Sequence, residues 1–135
     1  MRLLLEPPAA KLAAQNPDLL AQKLGQLQKG VDLQSPESAL LGSIPEQLDA
    51  EIAFHTLIAE ASGSKLLATM VQQVTERIQR YHVWLLRRGP QIAVTFKWHS
   101  QILAEIKAGQ AEAAQQSMYS HIESARDIWI KEYFK

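Results

Sequence analysis

Proline and glycine divide this sequence into segments whose apolar residues recur with the period of an α-helix. No segment alternates with the two-residue period of a strand, and no Asn-Gly or Asp-Gly pair marks a hairpin. Proline favours the first turn of a helix, and glycine favours the position after the last turn. The pattern predicts six helices, which cover residues 2–14, 17–29, 45–62, Ser64 to the low eighties, 91–107 and 111–133. Residues 31–43 are the least regular stretch.

Short connections between these helices make sequence neighbours antiparallel, so we predict an all-α antiparallel bundle formed by one domain over residues 1–135. The absence of cysteine excludes a thiolate metal site. No apolar run has the length of a membrane span and no secretory signal is visible, so we expect a cytoplasmic chain with no membrane partner. The 14 basic side chains balance the 14 acidic ones, so we expect the chain alone to bind DNA poorly.

Three histidines fall on helix faces that the periodicity predicts to point into the core. Glu51 precedes His55 by four residues on the same helix, so both side chains share one face. His99 and His121 lie on the last two predicted helices, at equal distances from the turn at Gly109-Gln110. An antiparallel hairpin therefore brings these two histidines to the same level of the bundle.

Imidazole and carboxylate groups suit zinc, nickel, iron or manganese, and bundles build metal sites from inward-facing side chains on facing helices. A buried histidine is more often a satisfied polar group, so on this pattern alone a metal-free core stays an open alternative. Burying several such groups without partners is costly, which favours a metal as their common partner. Asp49 lies about 240° round the helix from His55 and should point away, and His82, among charged residues, is expected on the surface.

Several segments of the sequence resemble the FCD domain, the C-terminal sensor domain of FadR-type regulators in the GntR family of bacterial transcription factors. Residues 51–64, EIAFHTLIAEASGS, are similar to the family's D-x-x-F-H … A-x-G-N segment. Residues 99–121 resemble the last two helices of that domain, and residues 2–14, RLLLEPPAAKLAA, resemble its first helix.

The resemblance implies a helical sensor that holds one divalent metal, whose open positions take a small carboxylate metabolite. The ligands that it carries over onto this chain are Glu51, His55, His99 and His121. Glu51 stands where the family usually has aspartate, while Ser64 and Gln110 replace an asparagine and an aspartate at cap positions. Some members have lost the metal and bind larger ligands such as acyl-CoA, and the three histidines argue against that here.

Two arginines are candidate ligands for the carboxylate, because the planar guanidinium matches that group. Arg77 falls beside an apolar stripe of the fourth predicted helix and is expected to reach the edge of the core. Arg2 matches an arginine that recurs at the start of the family's domain. Both residues also fit a surface ion pair, so this alternative stays open.

We therefore predict a non-enzymatic domain of a GntR-family regulator that senses an effector and forms a homodimer. Its DNA contacts would come from a winged helix-turn-helix domain that is absent from this sequence, so we expect a separated sensor rather than a stand-alone protein. Two alternatives are a small metalloenzyme that uses the same four residues to activate water, and a partner-binding bundle without metal.

Overall fold

A computed structural model describes residues 1–79 and 90–133 of the chain. Within these residues the backbone forms helices and no strand, which confirms the all-α prediction. The described helices are α1 (Arg2–Ala14), α2 (Pro17–Leu33), α3 (Pro36–Leu41), α4 (Ile44–Ala61), α5 (Lys65–Arg77), α6 (Pro90–Lys107) and α7 (Ala111–Tyr133). None of them is both long and apolar enough to cross a membrane.

The main difference from the predicted helices lies between residues 30 and 41. The sequence predicts that Gly30 ends the second helix, but α2 continues to Leu33 and buries Val31. A helical glycine costs only about 1 kcal/mol relative to alanine, and burial of the next turn offsets this cost. The stretch expected to be irregular contains α3, where the Ser35 side chain accepts a hydrogen bond from the Ser38 backbone N–H.

The sequence predicts a fourth helix that reaches the low eighties, but α5 ends at Arg77, with Ile78 as its C-cap. Residues 80–89 lie outside the described residues. These include His82 and most of the predicted break before Pro90. Pro90 itself begins α6, one residue before the predicted start, because proline is tolerated at the first helical position.

Small side chains allow α1 to lie deep in the bundle. It packs along α7 and also contacts α4, α5 and α6, while α2 packs against α4 and α6. Ala10 and Ala13 of α1 are fully buried in the same cluster as Ala114 of α7. Alanine lets two backbones approach closely, so the first and last described helices become neighbours around the core.

The α6–α7 hairpin depends on Gly109, whose φ of +72° is in the left-handed region. The Gly109 N–H donates to the Ile106 carbonyl, and the Gln110 N–H donates to the Glu105 carbonyl. These bonds satisfy carbonyl groups at the end of α6 and reverse the chain within two residues. The reversal sets the level at which side chains of α6 and α7 face each other.

Candidate metal centre

The structure brings together the four side chains that the sequence predicted as metal ligands. Each offers one ligand atom, and these atoms all lie within 4.8 Å of one another: Glu51, His55, His99 and His121. All four residues are buried, whereas the rival carboxylate Asp49 is exposed. Three helices, α4, α6 and α7, therefore converge on one polar cluster inside an apolar core.

The distances within the cluster follow from helix geometry and from the hairpin. Glu51 and His55 are one turn apart on α4, and Glu51 Oε1 lies 3.2 Å from His55 Nε2. The other carboxylate oxygen, Oε2, lies 3.7 Å from His99 Nε2 on α6. His99 Nε2 in turn lies 3.0 Å from His121 Nε2 on α7. The Nε2 atoms of all three rings thus face the interior of the cluster.

Aromatic packing fixes the orientation of the histidine rings. Phe54, which precedes His55 on α4, is stacked on His99 with ring centroids 3.7 Å apart. The rings of His55 and His121 are nearly parallel, at 9° and a centroid distance of 5.5 Å. Trp98 of α6 lies beside the His121 ring of α7, with ring centroids 6.0 Å apart. Rings packed in this way lose little further conformational entropy when they bind a ligand.

Glu6 of α1 is a member of the centre that the sequence reasoning missed. It is buried, and its carboxylate accepts from His55 Nδ1 while pairing with the Arg2 guanidinium. Because a carboxylate can only accept, Nδ1 of His55 carries the proton and Nε2 faces Glu51. Glu6 shares the helix face of Ala9, Ala10 and Ala13, and a glutamate on that buried stripe was the available signal.

Gln34 is a second partner that the sequence did not reveal. It caps the C-terminus of α2, and its side-chain Oε1 lies 2.6 Å from His99 Nδ1. His99 therefore donates through Nδ1 and turns its Nε2 towards His121. The Gln34 Nε2 atom is buried with no hydrogen-bond partner within the described part of the chain. No periodicity marks this residue, because it lies at a helix end.

The two candidate arginines have different surroundings. Arg2 Nη2 lies 3.4 Å from His55 Nδ1 and 3.3 Å from His55 Nε2, so the guanidinium covers this ring. Its side chain is only 14% exposed. Arg77 is exposed at the end of α5, so the expectation that it reaches the core edge is wrong. The buried face of α5 is formed by Val71 and Thr75, and a residue two positions after Thr75 is about 200° away.

Charges of both signs meet at the edge of the centre. Burial opposes ionisation of Glu6, but the Arg2 guanidinium and His55 together hold the pKa of this carboxyl well below its usual range. Burial also opposes protonation of His55, yet the Glu6 charge, helped by hydrogen bonds to Glu51 and Glu6, raises the pKa of His55. Arg2, Glu6 and His55 therefore form a buried charged chain from the N-terminus of α1 to α4.

The other two histidines are neutral. Burial lowers the pKa of His99 well below its ordinary value, and the neighbouring histidines lower it further against the opposing charge of Glu51. Burial, reinforced by the nearby His55 charge, lowers the pKa of His121 to about 3. Neutral imidazole is the form that binds a metal ion.

Comparisons with known proteins agree with the helical architecture. The sequence profile of the FCD domain matches residues 1–124. The HTH-type transcriptional regulator LutR of Bacillus subtilis (strain 168) is 25% identical over 146 aligned positions, which cover 100% of this chain and 61% of LutR. The solved structure of E. coli McbR/YncC superposes with a TM-score of 0.80 at 21% identity, over 98% of this chain and 62% of that chain. The chain thus spans about three-fifths of the length of these relatives.

Proposed function

The chain belongs to the FCD domain family, and we propose that it senses a small carboxylate metabolite through a divalent cation held by Glu51, His55, His99 and His121. Domains of this family are non-enzymatic ligand-binding domains of transcriptional regulators. The expectation that the chain is not an enzyme is therefore confirmed, and the metalloenzyme alternative is set aside. The observation that carries the proposal is the convergence of four buried ligand atoms from three helices.

The spacing of the donor atoms supports a cation. For metal–nitrogen bonds of about 2.1 Å, adjacent ligand atoms are about 3.0 Å apart at right angles and about 3.4 Å apart at the tetrahedral angle. The pairs His99 Nε2–His121 Nε2, at 3.0 Å, and His55 Nε2–Glu51 Oε1, at 3.2 Å, fall in this range. These two pairs support a divalent ion of the first transition series, and the longer Glu51 Oε2–His99 Nε2 distance of 3.7 Å would shorten on binding.

The tautomers of the histidines support the same conclusion. His55 and His99 each donate through Nδ1 to an oxygen outside the cluster, so in their neutral forms both present an Nε2 lone pair inside it. Two facing Nε2 atoms need a proton or a cation between them. In the metal-free protein a His121 N–H can fill this role towards His99. A bound cation would replace it and would accept all three lone pairs.

A carboxylate effector fits the charge of the centre. Bound there, a divalent cation supplies coordination positions for carboxylate, hydroxyl or keto oxygens. Arg2 lies over His55 and offers a fork that matches a carboxylate, with Glu6 as its present partner. Two positively charged groups, the divalent cation and the Arg2 guanidinium, would then face one anionic ligand. The sequence carries no glycine-rich phosphate loop, which argues against a nucleotide.

The partners of the chain are part of the proposal. LutR is an HTH-type transcriptional regulator, and we infer that this domain works with a DNA-binding domain in the same way. We also propose a homodimer, as the family resemblance implies. Sedimentation equilibrium tests this assembly: a dimer at micromolar concentration is expected, and a monomer at all accessible concentrations would contradict it.

The function is tested by calorimetry with a panel of small hydroxy- and keto-acids. Metal-loaded protein should bind one class of acid, whereas protein stripped by a chelator should not. Because metal and acid would share a site, each should tighten the other by the same factor. Equal binding of an acid to both forms would remove the cation from the mechanism, and turnover of the acid would contradict a sensing role.

A further inference from the structure

We propose that Glu6 is a positioning residue for the cation, which sets the affinity of the centre by orienting the His55 ring and placing negative charge behind it. The inference rests on the proposed metal centre and extends it to a residue that is not itself among the four ligands. Glu6 lies on α1, whereas the ligands come from α4, α6 and α7. The affinity of the centre then depends on how α1 packs against α4.

The first argument is geometric. The Glu6 carboxylate lies against Nδ1 of His55, the ring nitrogen that faces away from Glu51. This contact keeps the proton on Nδ1 and leaves Nε2 as the ligand atom. Carboxylate–histidine–metal chains of this kind orient the ring and raise its basicity. Glu6 is only 2% exposed, so water does not compete for the carboxylate.

The second argument comes from the contrast between two histidines. His99 donates its Nδ1 proton to Gln34, a neutral amide, whereas His55 donates to an ionised carboxylate. A charged acceptor makes the stronger hydrogen bond and places more negative charge behind the ring. Of these two rings, we therefore expect His55 to be the stronger ligand, with Glu6 as the cause.

Arg2 limits this effect. Its guanidinium bonds to both oxygens of Glu6, with Nη2 3.4 Å from Oε1, and so neutralises much of the carboxylate charge. Any group that draws Arg2 away from Glu6 would expose His55 to the full negative charge and would strengthen its bond to the cation. An anionic effector that pairs with Arg2 would do this, which links acid binding to metal affinity through two named residues.

The test compares Glu6→Gln with wild type by Zn²⁺ competition against a chromophoric chelator. Gln keeps the size and one acceptor oxygen but removes the charge. We expect Zn²⁺ to bind about 10–100-fold more weakly, as for other outer partners of metal-ligating histidines. Glu112→Gln on α7 is the matched control, because its side chain is 82% exposed, and its affinity should equal that of wild type. The Co²⁺ absorption spectrum should retain its intensity in Glu6→Gln, because the four ligands remain.

A second pair of variants guards against unfolding of Glu6→Gln, which leaves Arg2 buried without its carboxylate. Arg2→Gln and the double variant Arg2→Gln/Glu6→Gln differ only in Glu6, and the double variant should again be the weaker binder. Equal Zn²⁺ affinity within either pair would overturn the role of Glu6. A wild-type protein that binds no Zn²⁺ would overturn the proposed function as well, so the two failures are distinguishable.

Discussion

His99 and His121 face each other through their Nε2 atoms at 3.0 Å, although 22 residues separate them in the chain. The α6–α7 hairpin produces this contact, because its turn at Gly109-Gln110 lies midway between the two residues. Glu51 and His55 reach the same level from α4, so a pair of ring nitrogens becomes a set of four possible ligand atoms. The turn, the buried histidines, Arg2 and Glu51 each lead to a separate prediction.

The turn at Gly109 is predicted to be intolerant of a side chain. Its φ is +72°, and an added Cβ would meet only the Ala14 carbonyl at 3.9 Å, so the cost of Gly109→Ala is conformational. We expect a loss of about 1–2 kcal/mol in the free energy of unfolding. Urea denaturation measures this value.

Gly25→Ala is the matched control. Gly25 lies within α2, and an added Cβ would meet nothing within 4 Å. The replacement should stabilise the protein by up to about 1 kcal/mol, because alanine is the better helix former. A change of the same sign in the free energy of unfolding for both substitutions would contradict the left-handed conformation of Gly109 in the turn between α6 and α7.

The metal-free protein should lose stability between pH 6.5 and pH 5. His121, with its pKa lowered to about 3, stays neutral in the folded state but takes up a proton at about pH 6.5 when unfolded. Stability due to this residue is thus present above pH 6.5 and falls with pH, by about 2 kcal/mol at pH 5. His99, whose pKa is also lowered, acts in the same direction.

The other shifted groups act outside this window. The raised pKa of His55 matters only above pH 6.5, where its contribution is lost as pH rises, and the lowered pKa of Glu6 matters only below about pH 4.5. Urea denaturation in the presence of a chelator should show the loss for wild type and a smaller one for His121→Gln. A stability that does not fall between pH 6.5 and pH 5 would contradict the burial of two neutral histidines.

Replacement of Arg2 should have opposite effects on the affinities for the acid and for the cation. In Arg2→Gln we expect acid binding to weaken about 10–100-fold, because a charge-assisted hydrogen bond is lost. We expect Zn²⁺ to bind more tightly without acid, because a cation that lies 3.3 Å from His55 Nε2 is removed. Calorimetry measures both constants. Arg126→Gln, at an exposed position of α7, is the control and should change neither.

The length of the Glu51 side chain, the proposed carboxylate ligand, gives another prediction. Glu51 stands where the family usually has aspartate, and it bridges His55 and His99 through its two oxygens. Glu51→Gln removes the charge and should weaken Zn²⁺ binding by more than the roughly 100-fold upper effect of an outer partner. Glu51→Asp should bind between wild type and Glu51→Gln. Chelator competition gives the order, and full affinity in Glu51→Gln would exclude this carboxylate as a ligand.

The sequence predicted the level of the histidines but not their outer partners. The helical period and the position of Gly109 suffice to place His99 beside His121, because the two residues lie on adjacent helices of one hairpin. Gln34 and His99 are 65 residues apart, and their contact depends on the rotation of α2 against α6. Glu6 likewise reaches His55 only through the packing of α1 on α4. On these helices periodicity indicates the buried face, but not which groups meet across it.

Arg77 shows a different limit, because on its helix the periodicity indicates the wrong face. The sequence predicts that the apolar stripe beside Arg77 is the core side of its helix, whereas Val71 and Thr75 are the buried positions of α5. A shift of one residue turns a helix face by about 100°, which is enough to place Arg77 in solvent. The sequence indicates Arg2 only as a candidate for binding the carboxylate, and its position over the His55 ring follows from the packing of α1 on α4.

The central claim is that four named side chains bind one divalent cation. The most direct test purifies the protein without a chelating column, measures its metal content, and compares melting temperatures with and without chelator for wild type and His121→Ala. We predict about one divalent ion per chain in wild type, a lower melting temperature after chelation, and neither metal nor chelator sensitivity in His121→Ala. A wild-type melting temperature unchanged by chelator, or a His121→Ala variant that keeps full metal affinity, would contradict the account.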